Sequence, residues 1–446
     1  LIISYFAVDY LISKNKFLNL KFLISSENRF LIKKYIFPYN YISQLEEKII
    51  STKSRGPVNE VMFALRKELN FKKKLNNIKT KKSKVIKLSN NMIMYKYKFI
   101  NGFYVGINNT IPGTGYIDFY KDDIFILSSR GVLGYGKYNK DKLNFKQIKN
   151  NINFFIGMKQ FSQNNWFSLK DLLVYKNKIF ISYTDEINDN CWNTSVIHGD
   201  VSLEKIEFKE LFSMKDCVHS VNNVDKEFNA HQSGGRIINY DPEHILLSIG
   251  DYRSRFLSQD KNSVNGKIIK INTVNYEYEL VSMGHRNPQG LYFDKENNFI
   301  LETEHGPKGG DEINLIEVDK INNINPLNYG WPVTSAGEHY SGKDDREKYK
   351  KYPLYKSHSE YGFVEPLKSF VPSIGISEIT KIKDDKYVVS SLKDQSLYFF
   401  ELNNEKKIVN LERVKLFERI RDLRYDNKNL YLFLEDTPSL GVIPLS

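Results

Sequence analysis

Residues 117–127 read Ile117-Asp-Phe-Tyr-Lys-Asp-Asp-Ile-Phe-Ile-Leu127, two apolar runs around a polar turn. The same texture returns at Leu172-Leu-Val-Tyr-Lys-Asn-Lys-Ile-Phe-Ile-Ser182 and Ile237-Ile-Asn-Tyr-Asp-Pro-Glu-His-Ile-Leu-Leu247. It returns again at Leu291-Tyr-Phe-Asp-Lys-Glu-Asn-Asn-Phe-Ile-Leu301, Ile379-Thr-Lys-Ile-Lys-Asp-Asp-Lys-Tyr-Val-Val389 and Leu423-Arg-Tyr-Asp-Asn-Lys-Asn-Leu-Tyr-Leu-Phe433. Each copy reads as a β-hairpin: Asp, Asn and Lys make the turn, and β-branched or aromatic residues make the second strand. The starts lie 55, 65, 54, 88 and 44 residues apart. One hairpin per ~40–50 residues plus insertions is the pattern of propeller blades, whose sheets cannot bury both faces alone. Six copies predict an all-β, six-bladed β-propeller. A barrel or sandwich has no need of this wide spacing.

Composition narrows the class further. The chain has 446 residues, 26% charged and 41% hydrophobic, with 29 Tyr and 29 Phe to fill a core. That excludes a disordered chain. No run reaches the ~18 apolar residues of a spanning helix. Two Cys exclude a Cys-rich zinc protein. The net charge of +12 suggests nucleic acid until it is located. Residues 53–87 hold twelve Lys and Arg against Glu60 and Glu68, whereas residues 88–446 are close to neutral. The charge therefore marks a basic arm, and no nucleic-acid partner is expected.

The division expected is an N-terminal extension over residues 1–95, partly helical, and a propeller over 96–446. The chain starts at Leu1 without Met, as a fragment or a processed product would. Leu1 to Ser13 is apolar and precedes Lys14 and Lys16. It reads either as the remnant of a signal anchor, associating the extension with a membrane, or as a buried strand or helix. Residues 57–70 read as a helix, with Pro57 in the first turn and Val58, Val61, Met62, Leu65 and Leu69 on one face. Lys72–Lys87 reads as a basic linker, solvated or in contact with a polyanion.

Polar and Gly-rich segments flank the hairpins, and in a propeller they converge on one end of the channel. They bring together His231, Arg236, Asp251, Arg286, Asn287, His305, Asp311, Lys393, Arg419 and Arg421. Several cations around one channel call for an anionic ligand. A His beside a carboxylate such as Asp251 calls for a general base. Residue chemistry alone leads to an anionic ligand and proton abstraction. A lone His is also commonly structural, and Gly-rich turns are commonly just turns.

Longer motifs carry a resemblance. They are His231-Gln-Ser-Gly-Gly-Arg236, Ser248-Ile-Gly-Asp251, Gly284-His-Arg-Asn-Pro-Gln-Gly-Leu291, Glu302-Thr-Glu-His-Gly-Pro-Lys-Gly-Gly-Asp-Glu312 and Asn328-Tyr-Gly-Trp-Pro-Val333. Val371-Pro-Ser-Ile374, Ser391-Leu-Lys393 and Arg419-Ile-Arg-Asp422 follow in order. Residues 96–446 resemble the soluble quinoprotein glucose/sorbosone dehydrogenases, the aldose sugar dehydrogenase branch in particular. The resemblance implies a six-bladed propeller and oxidation of an aldose or related alcohol at C1. It implies two cofactors, pyrroloquinoline quinone (PQQ), a tricarboxylate, and Ca²⁺, together with an external electron acceptor. His231 matches the general base, with Asp251 orienting it and Arg286 polarising the quinone. Arg286, Asn287, His305, Asp311, Ser373, Lys393, Arg419 and Arg421 match cofactor contacts. Gly306 and Pro307 match carbonyl ligands of calcium.

Some positions depart from the glucose enzymes. His305 stands for a Gln, Lys368 and Val371 for aromatics, and Ala230 for an acidic sugar contact, so the cofactor half of the site is better matched than the sugar half. Ser168-Leu-Lys-Asp-Leu172 lacks the Gln/Gly sugar-binding pattern of the first blade. In a periplasmic-type enzyme Cys191 and Cys217 read as a disulfide, worth on the order of 3 kcal/mol. An extracytoplasmic location, periplasmic or N-terminally anchored, follows from the same reading. Two further classes compete with the dehydrogenase: a non-catalytic propeller that binds glycan or protein, and a calcium-dependent lactonase. The latter requires carboxylates to converge on the metal, where this chain brings mostly cations.

Overall fold

A computed structural model describes residues 58–445, apart from 84, 108–111, 165, 343 and 384. The readings made for residues 1–57, including the apolar segment at Leu1, lie outside the described residues. Two compact units divide the chain at Val61. Of the first, only the opening turn of the helix Val58–Lys74 is described; the second, from Met62 onward, contains the propeller.

Six four-stranded antiparallel blades follow one another. The inner two strands of each are one of the six hairpins. They are Gly115–Tyr120 with Asp123–Ser128, Leu169–Tyr175 with Lys178–Asn188, and Gly234–Asn239 with His244–Ile249. Then come Pro288–Asp294 with Phe299–Glu304, Ile376–Lys381 with Lys386–Ser391, and Ile420–Tyr425 with Asn429–Leu434. Each innermost strand packs against the next, and the last touches the first, so the ring is closed.

Closure is made by the N-terminal part of this unit. Ile93–Phe99 is the outer strand of blade 6, paired with Ser439–Pro444. The sheet therefore begins before residue 96, the boundary expected from sequence. The basic linker is also structured. Lys72–Lys74 complete the helix, and Ile78–Lys82 is a strand that pairs with Ile93–Phe99 on one side and Asn144–Gln147 of blade 1 on the other. It joins blades 6 and 1 into one ten-stranded sheet. The strand was hidden by its lysines. Ile78 is fully buried while Lys79 and Lys81 face solvent, an alternation that charge counting overlooks. The 88-residue spacing after the fourth hairpin also has a cause. An insertion between the third and fourth strands of blade 4 contributes Leu327–Asn328 to the edge of blade 3 and the helix Arg346–Lys351.

Apolar cores lie between neighbouring blades. Tyr97, Phe99, Ile117, Ile126 and Phe433 fill the joint between blades 6 and 1, and Leu173, Phe180, Leu247 and Ile269 that between blades 2 and 3.

Polar groups tie the axis. The residue preceding the hairpin is Asp171 in blade 2, Arg236 in blade 3, Glu378 in blade 5 and Asp422 in blade 6, and all four are buried. Arg236 Nη1 lies 2.7 Å from Asp171, 2.6 Å from Glu378 and 2.9 Å from Asp422. The second oxygen of each carboxylate accepts a backbone N–H of a different blade. Asp171 accepts from Ile237 at 2.8 Å, Asp422 from Ile117 at 2.8 Å, and Glu378 from Leu291 at 3.3 Å. Arg424 adds a second guanidinium to the same carboxylates.

Arg236→Met leaves three buried carboxylates with one guanidinium between them. Breaking a buried ion pair this way costs ~3–5 kcal/mol. Urea denaturation of the variant is expected to show a loss of that size, with near-wild-type far-UV circular dichroism before the transition.

Candidate active site

The starts of the innermost strands and the ends of the second strands meet at one end of the channel, opposite the hairpin turns. They enclose a cavity of about 240 Å³. His231, Arg236, Asn287, His305, Lys393, Arg419 and Arg421 line it, as the sequence predicts. Tyr116, Lys170 and Gln289 line it too.

His231 sits on a single helical turn, Ala230–Gln232, just before blade 3. The Asn229 side chain caps that turn by accepting from the His231 backbone N–H at 2.8 Å. The chain then passes through Gly235, at φ +109°, where a Cβ would lie 2.4 Å from the Cβ of Lys170. The His231 ring is 4.4 Å from that of Trp166, and Nε2 is 3.3 Å from the Ile107 carbonyl. Desolvation, with Lys170 and Arg421 close by, pushes its pKa well below the usual range. The imidazole is therefore neutral at neutral pH, the form a general base needs.

Among the described residues no hydrogen bond joins His231 to Asp251, the pairing expected from sequence. Asp251 is fully buried at the end of the second strand of blade 3, and its carboxylate is taken by other groups. It accepts from the Trp331 indole at 2.8 Å and from the Arg253 backbone at 2.8 Å. The hydrogen-bonding pattern turns the Gln232 amide so that its nitrogen donates to Asp251 at 3.0 Å. The Gln232 oxygen then accepts from Arg286 Nη2 at 2.8 Å. Asp251 thus anchors the residue after His231 and makes no bond to the ring itself.

The other expected residues divide between the cavity and its walls. Asn287 accepts from the Gly234 N–H at 3.2 Å, which holds the strand start that follows His231. Asp311 lies in the wall. It accepts from Gly306 N at 3.2 Å, Gly375 N at 2.6 Å and Ile376 N at 3.0 Å, clamping the Gly306 turn to blade 5. The Ser373 hydroxyl is buried without a partner among the described residues. Arg286 and Pro307 line an adjoining cavity with Trp331 and Tyr340. The Arg286 guanidinium donates to the carbonyls of His305 at 2.8 Å and Gly306 at 2.7 Å. His305 Nε2 contacts the Ile376 carbonyl. Cys191 and Cys217 are bonded, as expected.

Two charged residues at the site were missed by the sequence reading. Lys170 is buried, and its Nζ donates to the carbonyls of Trp166 and Ala230 at 3.2 and 3.1 Å. Burial lowers its pKa well below that of a free lysine. Glu435 is fully buried and joins Arg421 at 2.7 Å and Arg419 at 3.2 Å. Burial raises its pKa, but the two arginines outweigh that and hold the carboxyl at about 2. The signal was positional. Lys170 stands two residues before the second hairpin and Glu435 two after the sixth, the sites at which other blades place cavity residues.

The charges do not cancel. Arg236 is neutralised by its own three carboxylates, and Arg419 and Arg421 share Glu435. Lys170 and Lys393 have no carboxylate partner among the described residues. With Lys393 unmatched, and Lys170 driven toward its neutral form by burial but able to take a proton when an anion enters, the cavity favours a polyanion.

Known proteins share this fold. The structure matches the apo-form of soluble aldose sugar dehydrogenase from Escherichia coli with a TM-score of 0.58, at 21% identity, over 74% of this chain and 96% of that one. It matches the PQQ-bound form of aldose sugar dehydrogenase from Streptomyces coelicolor with a TM-score of 0.54, at 15% identity, over 79% and 98% of the two chains. In sequence it is 26% identical over 294 residues to aldose sugar dehydrogenase YliI of Escherichia coli K12, covering 60% of this chain and 73% of that protein. Residues 170–442 match the family model described as Glucose / Sorbosone dehydrogenase. That match spans the hairpins of five of the six blades and, apart from Ile107 and Tyr116, the residues that line the cavity, and the chain belongs to the glucose/sorbosone dehydrogenase family.

Proposed function

We propose that this protein oxidises the C1 hydroxyl of an aldose, or a related alcohol, with PQQ in the cationic cavity and an external molecule as final electron acceptor. The observation that carries the proposal is a neutral His231 facing the same cavity as the uncompensated Lys170 and Lys393. The residues present fit the cofactor. Its three carboxylates require several cations, and Lys393, Arg419, Arg421 and Lys170 surround the space. The unpartnered Ser373 hydroxyl is a further donor. When bound, PQQ supplies a two-electron acceptor for hydride.

The chain's own residues do the rest. The His231 imidazole takes the hydroxyl proton as the C–H bond breaks, because desolvation keeps its lone pair available. Asp251 and Asn287 fix the backbone on either side of His231 through Gln232 and Gly234. Arg419 and Arg421, held by Glu435, present a preformed cationic edge. Calcium is a different case. The Gly306 carbonyl that would bind it already accepts from the Arg286 guanidinium. That carbonyl keeps a second lone pair, and with the Pro307 carbonyl it would hold calcium, which would supply Lewis acidity; no step is assigned to it.

The Cys191–Cys217 bond supports an oxidising, extracytoplasmic location. Among the described residues no helix is long and apolar enough to cross a membrane.

Lys393→Ala and Arg419→Ala each remove a charge-assisted bond to the cofactor, worth ~1.5–3 kcal/mol. Quinone affinity, read from an absorption titration, is expected to fall at least about tenfold in each. Unchanged affinity in both would remove the cavity from consideration.

His231→Ala is expected to keep quinone binding and to lose about a hundredfold or more in kcat. Because the His231 pKa is depressed, the base form persists into acid. The acidic limb of kcat/KM should therefore lie below the ordinary histidine value of ~6.5. A limb above that value, or full turnover in the variant, rules out His231 as the base. If the wild-type protein binds quinone and oxidises no sugar or alcohol, a glycan- or protein-binding propeller becomes the better reading.

A further inference from the structure

We infer that blade 4 contains a buried site for a divalent transition-metal ion, Mn²⁺ or Zn²⁺ in class, formed by His285 Nδ1 and the carboxylates of Glu302 and Glu304. The site lies in the wall behind Arg286 and is independent of the oxidation chemistry.

Glu302 and Glu304 end the second strand of blade 4, on the face they share with Asn314 and Glu312 of the next strand. All four side chains are buried, and so is His285. Among the described residues no Lys or Arg side chain pairs with Glu302, Glu304 or Glu312. Three carboxylates thus share a region from which water is excluded, with no counter-cation. Such an arrangement is costly unless protons or a metal ion neutralise it.

The imidazole points to where that charge belongs. His285 Nδ1 is 3.5 Å from Glu304 Oε1 and 3.8 Å from Glu302 Oε2, and the three ligand atoms lie within 4.8 Å of one another. Those distances are too long for hydrogen bonds. They suit atoms gathered around a common ion. Ligands at ~2.0–2.2 Å from a metal stand ~3.0–3.5 Å apart, so the imidazole contacts need a few tenths of an ångström of contraction and the widest pair about 1–2 Å at most.

The unpartnered atoms agree. His285 Nδ1, Glu302 Oε1 and Asn314 Oδ1 are buried and have no hydrogen-bond partner. His285 Nε2 is 2.8 Å from the Ser282 hydroxyl. With Nε2 donating there, Nδ1 presents a lone pair to two carboxylates, an arrangement that a metal ion reconciles without a shared proton. Glu304 Oε2 accepts from the Arg286 backbone N–H at 2.5 Å, which fixes that carboxylate from behind, while Asn314 Nδ2 donates to Glu302 Oε2 at 2.9 Å and Glu304 Oε1 at 3.3 Å and holds the two ligand oxygens on one side. An imidazole nitrogen in the set favours a first-row transition ion over Ca²⁺, which takes oxygen ligands.

The test uses the full chain, stripped with chelator and without quinone. Mn²⁺ titration followed by electron paramagnetic resonance is expected to show one equivalent bound with ¹⁴N coupling from the imidazole. Mn²⁺ or Zn²⁺ is expected to raise Tm by several degrees, and Ca²⁺ to do so far less. Glu302→Gln should weaken Mn²⁺ at least tenfold and abolish the thermal shift. The proposal is overturned if no stoichiometric Mn²⁺ binds, if bound Mn²⁺ shows no ¹⁴N coupling, if Ca²⁺ stabilises equally, or if Glu302→Gln binds as tightly as wild type. Should that variant fail to fold, the ¹⁴N coupling of the wild-type protein decides alone.

Discussion

The Arg236 guanidinium is held by carboxylates from blades 2, 5 and 6, and each of those carboxylates also binds a backbone N–H of another blade. Neighbouring blades pack through apolar side chains, which are indifferent to small rotations about the channel. Charged hydrogen bonds are directional and short, and in a buried setting they tolerate little displacement. The network thus sets the register of the innermost strands, and through it the positions of every residue at their starts. Tyr116, Lys170, His231, Asn287 and Arg421 all take their places from those strand starts. Arg236 itself reaches the cavity floor, so the fold's central tie and the ligand site share a residue.

Above that floor the charge balance changes character. Below, each guanidinium is matched by carboxylates. Above, Glu435 alone faces Arg419 and Arg421, and Lys170 and Lys393 lack acidic partners. A folded protein bears such a surplus at a cost, and the cost is recovered when an anion enters. Burial first, and then Lys170 and Arg421 beside it, depress the pKa of His231 and leave the imidazole neutral.

The six hairpins were legible because each is a local object. Two strands and a tight turn lie within eleven residues, and their alternation survives in the sequence. The four-stranded blades were less so. The outer strand of blade 6 comes from Ile93–Phe99, and Ile78–Lys82 bridges blades 6 and 1. Both lie over 300 residues from the C-terminal hairpin, and the lysines of Ile78–Lys82 conceal its single deeply buried position.

For the site, sequence alone determined which residue types gather at one end of the channel. Motif spacing places His231, Asn287, His305, Lys393, Arg419 and Arg421 at strand starts and ends, and the repeat converges them whatever the details. Partner choice was decided only by tertiary structure. Asp251 stands twenty residues after His231, yet it bonds Trp331 and Gln232, because the insertion of blade 4 folds back over blade 3. Asp311 looked like a cavity residue and proved a backbone clamp, while Lys170 and Glu435 entered from positions no motif marks. Periodicity reports which end of the channel a residue occupies. Which atom meets which depends on distances of a few ångströms between blades far apart in the chain, and those exist only once the ring has closed.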